Sequence, residues 1–282
     1  MPNTEIWIGV TNAWATGSNW NPNNSPGASD IEYIQNNSQS IASYDGSSIT
    51  LASLNIDMSY LGAIAEAGTY LKLKATVANI GTQAVSGGAA NGRWNLNICN
   101  SGAVVNVFGS ANAATDPGST PIRLLLTSGV LNVSAGKVGV ALAATETASI
   151  ATLTMLQGAG VPAVTLGAGV TLTTGYVLAG TLTNYSANTT TAMTVNGKGS
   201  LLNLGTGAFT TLNIFNGRKV TYQNGGTITT LNISGVLDLS TGVTAVTITN
   251  CNRYGDSWQI IDPAGRITYT NPPTDYRRRI GD

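Results

Sequence analysis

Residues 210–250 read TTLNIFNGRKVTYQNGGTITTLNISGVLDLSTGVTAVTITN, and the pentapeptide Thr-Thr-Leu-Asn-Ile occurs twice in this stretch, at 210–214 and 229–233. The copies are 19 residues apart. Between them lie a short β-prone run, Val220-Thr221-Tyr222, and an Asn-Gly-Gly turn at 224–226, so each unit reads strand, turn, strand, turn. After the second copy the alternation of apolar and polar residues continues through Val236–Leu239 and Val246–Thr249. Such a unit cannot bury its apolar side alone, but stacked copies share one long core. The stretch therefore predicts an all-β fold, a β-solenoid of short stacked strands.

Leu-Asn followed by an aliphatic residue also occurs at 54–56, 96–98, 131–133 and 202–204, which extends the pattern over most of the chain. Alternate residues of a strand face opposite sides, so the Leu and the aliphatic two positions later should point inward and the Asn outward. Leu212, Ile214, Leu231 and Ile233 are then core positions of successive coils. The asparagines are read as a solvated outer row, with a stacked asparagine ladder as the alternative.

At 282 residues the chain is long for one spherical domain, but repeat proteins grow along an axis and escape that limit. Only 9% of residues are charged and the net charge is zero. That balance provides no basic face for nucleic acid. No apolar run approaches the roughly 20 residues of a membrane-spanning helix, and Met1–Glu5 lacks the features of a secretory signal, so synthesis in a cytoplasm or processing of a precursor is expected. Histidine is absent, which removes His-based acid–base chemistry, Ser-His-Asp catalysis and the usual zinc sites. Cys99 and Cys251 are expected to be buried free thiols.

Three regions are expected. Residues 1–46 form an N-terminal capping or attachment segment. Residues 47–250 form the solenoid body, with lateral loops near 59–95 and 109–121 and a single helical turn at 63–67. Residues 251–282 form a C-terminal strand pair and a basic tail. GAGV occurs at 158–161 and again at 167–170, a spacing seen in calcium-binding β-rolls. No Asp or Glu lies between Glu146 and Asp238, so calcium is excluded there and the glycines are read as tight corners.

The acidic residues are scattered. The one tight pair, Asp30 and Glu32, is read as solvated edge residues rather than as the facing carboxylates of a glycosidase. No nucleophile elbow or phosphate loop is present. An enzyme, a cofactor and a metal are therefore not expected. Partner contacts are assigned to Trp7, Trp14 and Trp20, which either plug the end of the solenoid or line a sugar site, and to Arg277, Arg278 and Arg279 in the tail.

Trp7, Trp14, Asn19-Trp20, Pro26-Gly27 and Asp30 resemble the opening of autotransporter-type surface β-helix repeats. The chain as a whole, Thr/Asn/Gly-rich and nearly uncharged with two distinct ends, resembles β-solenoid structural proteins of tailed-phage virions. That resemblance implies a capsid decoration protein, synthesised in the host cytoplasm and located in the virion as a homotrimer that contacts the major capsid protein or another virion protein. A tail fibre, spike or adhesin binding host glycans is the alternative, and a polysaccharide lyase or hydrolase is the weakest reading.

Overall fold

The computed structural model describes residues 3–65, 69–81, 93–109, 121–224 and 226–276. It is a β-solenoid of about ten coils. The strand pairings among the described residues are parallel, except where Ile6 and Trp7 pair antiparallel with Asn21 and Trp20. One 3-10 turn, Gly17–Asn19, is present, and no helix of the described residues is long and apolar enough to cross a membrane.

Each coil runs through one strand on a first strip and continues on a second. The first strip stacks Trp94–Ile98, Ile122–Leu126, Gly136–Val140 and Pro162–Leu166, then continues to Lys219–Tyr222 and Val236–Asp238. The second strip stacks Val104–Val107, Gly129–Val133 and Ala148–Met155, and ends with Phe209–Ile214, Gly226–Ile233 and Val246–Tyr254. In this second strip Thr210 and Thr211 both face outward between buried Phe209 and Leu212, and Thr229 and Thr230 do the same between Ile228 and Leu231. Two consecutive outward residues break the two-residue alternation, so each marks a corner and the coil is three-sided.

The repeat is in register as its sequence predicts. Leu212 pairs with Leu231 and Ile214 with Ile233, and all four are buried. Between them Asn232 donates to Oδ1 of Asn213 (2.8 Å), and the outer row is a ladder as well as a solvated edge. Asn79, Asn106 and Asn132 each donate to the asparagine one coil earlier at 2.9 Å, beginning at Asn55. Successive rungs are 24, 27 and 26 residues apart in this half, but 19, 19 and 20 from Thr194 to Asn252. Between Asn79 and Asn132 the longer coils include residues 81–93 and 108–121, which separate consecutive strands.

Some expectations need correction. At 202–204 the phase is reversed: Leu202 is half-buried and Asn203 fully enclosed. This segment lies on the first strip, where Leu201 sets the inward phase, and Asn203 accepts from Asn184 (2.8 Å) and donates to the Gly205 carbonyl (3.1 Å). Internal pairing offsets the desolvation of both amides. Within 59–95, Leu71–Ile80 is a ten-residue strand paired in parallel with the coil before it, with a register shift between Gly46 and Thr50. Ile64 bridges Ile41 and Trp94 in parallel, so the chain there is extended rather than helical; 66–68, 82–92 and 110–120 lie outside the described residues. Cys251 is a buried free thiol, whereas Cys99 is only half-buried.

The GAGV glycines sit at corners. A Cβ on Gly167 would lie 1.7 Å from the Ala141 carbonyl oxygen, and one on Gly169 2.2 Å from that of Glu146. Adjacent coils touch backbone to backbone at this corner, a contact no larger residue permits.

Candidate functional site

The N-terminal coil begins with Thr4–Trp7 and Ile31–Ile34, parallel strands with Glu5 opposite Glu32. Trp7 and Ile34 face the core, so the residues two positions before them face it too. Glu5 and Glu32 are consequently stacked on the axis with no exposed surface, and their inward row continues as Leu54, Ala78 and Val105. None of the four carboxyl oxygens makes a hydrogen bond.

Burial, the neighbouring Glu5 charge and that of Asp30 push the Glu32 carboxyl up to about 8. Burial and Asp30 raise Glu5 as well, partly offset by the nearby Asn24 side chain. Asp30 itself is nearly enclosed and accepts from the backbone N–H groups of Asn3 (2.9 Å) and Gly27 (2.8 Å). The reading of Asp30 and Glu32 as solvated edge residues is therefore corrected. Glu5 was not singled out by sequence at all, although its position two residues before an inward tryptophan carried the signal.

Trp7, Trp14 and Trp20 pack together at the same end of the solenoid. All three are buried, with ring centroids 5.2 Å apart for Trp7 and Trp20 and 4.7 Å for Trp14 and Trp20, both edge to face. The Trp20 indole donates to the Trp14 carbonyl (2.7 Å), and buried Asn19 ties the loop to Thr11 and Ala13. The rings spend their surface on one another, and none presents a face for a sugar or a partner.

At the other end the inward positions of the last coil hold Ile260, Ile267 and Tyr269, all half-buried. Arg253 takes the position where the preceding coil has Ile233; its guanidinium lies 4.3 Å over the Trp258 ring and 3.7 Å from the Asp275 carboxylate. Tyr254 and Tyr276 stack at 5.0 Å. Arg277, Arg278 and Arg279 follow this coil in the sequence and lie outside the described residues.

A third feature is a shallow groove of about 420 Å³ on the first strip, lined by Tyr44, Asp45, Tyr70, Lys72 and Asn97 among others. Lys72 pairs with Asp45 at 3.0 Å, and the Ser47 hydroxyl, followed by Lys72, holds the Asp45 carboxyl down at about 2. The Tyr70 hydroxyl donates to Glu146 (2.6 Å), which fixes the ring beside the groove. Among the described residues no three metal-ligating side chains come together.

No family model matches this chain, and no curated protein or solved structure is significantly similar to it.

Proposed function

We propose that the chain is a structural, non-catalytic protein of a tailed-bacteriophage virion, seated on the head as a decoration protein that reinforces the capsid lattice. The observation that supports this reading best is one continuous solenoid with two unlike ends. The N-terminal end is sealed by buried tryptophans, while the last coil leaves Trp258, Ile260, Ile267 and Tyr269 half-exposed. Half-exposed aromatic and aliphatic side chains on the last described coil suit a docking surface. Arg277, Arg278 and Arg279 follow that coil, and their guanidinium groups suit carboxylates on the major capsid protein or another virion protein. Attachment is thus assigned to the C-terminal end.

The test is re-binding of purified protein to particles that lack it. Replacing the three arginines with serine, or truncating after Tyr276, is expected to weaken attachment and leave the β-rich circular dichroism spectrum intact. Undiminished attachment by both variants overturns the C-terminal assignment.

A tail fibre or spike that holds host glycans is the second reading, favoured by the groove of Tyr44, Tyr70, Asp45, Lys72 and Asn97. Tyrosine rings with fixed polar groups beside them suit a sugar ring. Binding of surface polysaccharide that is lost in Tyr70→Ala would favour this reading over decoration.

A further inference from the structure

The charged residues of the coils are unevenly placed. The first strip and its connections carry Asp45, Lys72, Arg123, Lys137, Lys198, Lys219 and Asp238. No strand residue of the second strip from the Leu51–Ala75 row to Asn252 is charged, although about ten strands cross it; Lys74, paired with Thr50, stands at its edge, and Asp57 and Glu146 lie in its connections. Its outward positions form two rows. One runs Ser53, Val77, Val104, Val130, Thr152, Thr174, and the other is the asparagine ladder, broken by Thr154, Tyr176 and Thr194.

We infer that this uncharged side is an interface between copies of the chain. Three observations converge on a second copy as its occupant. The first is size. Ten strands about 4.8 Å apart, each presenting about five residues at 3.3 Å, make a face of about 700 Å², close to the ~800 Å² each partner gives a standard interface. The second is desolvation. Asn79, Asn106, Asn132, Asn232 and Asn252 each already give one N–H to the rung before, so covering the row costs less than covering free amides, and each has a second N–H to offer across the interface.

The third is relief and charge. Tyr176 stands out of the ladder at 41% exposure, between Thr154 and Thr194, and Phe108 and Leu156 border the face at 44% and 47%. Tyrosine projecting from a flat neutral patch is the type of side chain that anchors interfaces. A charged partner gains nothing from a face without charge, whereas an identical face is matched to it in polarity along its whole length, as a self-complementary contact requires.

The inference does not depend on the virion reading, because it is measured on the purified full chain. Sedimentation velocity over a concentration series is expected to show an oligomer whose mass is insensitive to salt. Tyr176→Lys and, separately, Val130→Lys are expected to weaken association at least about tenfold, since each buries an unpaired charge at the contact. Thr181→Lys, exposed on the opposite strip, should leave it unchanged. Circular dichroism identifies a variant that has failed to fold, and the other then carries the test. A monomer at every concentration, association that persists in both variants, or association abolished by salt and by Thr181→Lys would overturn the assignment.

Discussion

At the N-terminal end three tryptophans and two carboxyl groups are fully enclosed, whereas at the C-terminal end Ile260, Ile267 and Tyr269 occupy inward positions at half exposure. Among the described residues the first and the last coil each have a neighbouring coil on one side only. The first end is closed by a loop that folds back: Asn21 and Trp20 pair antiparallel with Ile6 and Trp7, which ends the parallel stacking. The last end has no such plug among the described residues, and Arg253 covers part of the core with its stem while its guanidinium stays over Trp258. A plug and an open coil differ in what their removal costs, and that difference can be measured.

The largest effect is expected from Trp20→Ala. Trp20 is wholly buried, meets both other rings edge to face, and donates to the Trp14 carbonyl. Loss of a buried tryptophan costs about 3–5 kcal/mol. Because each coil stabilises only its neighbours, the damage should stay local: hydrogen exchange should accelerate in 4–56 and remain slow beyond 190. Uniform acceleration would mean the two ends are energetically coupled and the contrast between them is not local.

The sequence made the regular part of this molecule readable and concealed its ends. The 19-residue repeat sits where coils are shortest, and Leu212, Ile214, Leu231 and Ile233 lie where the alternation puts them. Further toward the N-terminus the rungs spread to 24–27 residues, so the period was hidden even though Leu54 and Leu131 keep the phase. Leu202-Asn203 misled because the inward phase there starts at Leu201, one residue before the motif, whereas Leu96-Asn97 on the same strip keeps the expected phase. The acidic pair was harder still. A carboxyl group is ordinarily solvated, and only the inward direction of Trp7 and Ile34 forces Glu5 and Glu32 into the core. The uncharged side was invisible for a different reason, since it appears only when strands from all coils are laid side by side.

The carboxyl pair offers a way to sharpen the contrast between the ends. Glu32 is raised from 4.5 to about 8 in the folded chain, and Glu5 is raised as well. Between those values the folded state holds protons that the unfolded state has released. The contribution of this pair to stability is therefore greatest below about pH 4.5, declines as the pH rises toward 8, and levels off above it, while Asp45 and Asp238, held down at about 2, lose their contributions only as the pH falls below about 4. Glu32→Gln keeps the shape without the charge, so its melting temperature should exceed that of the parent chain at pH 9, by the equivalent of at most about 5 kcal/mol, with the gap closing near pH 4. No gap at pH 9 would show that the carboxylate is solvated when ionised. As the only buried carboxyl pair stacked on the axis among the described residues belongs to the N-terminal end, hydrogen exchange at 246–261 should show no matching pH dependence from this source.

The smallest effect is expected from Ile260→Ala in the last coil. Its side chain follows Leu237 in the inward row but is only half-buried, so truncation removes roughly half of the apolar contact a core isoleucine would lose. A loss of about 1 kcal/mol is expected for the isolated chain, well short of the Trp20 variant. The comparison acquires a second use when the same variant is measured in an assembled particle. If the C-terminal coil docks against another protein, Ile260 becomes fully buried there, and the substitution should cost more in the particle than in solution. Equal costs in both settings would leave the open end without a partner and move the attachment surface elsewhere on the solenoid.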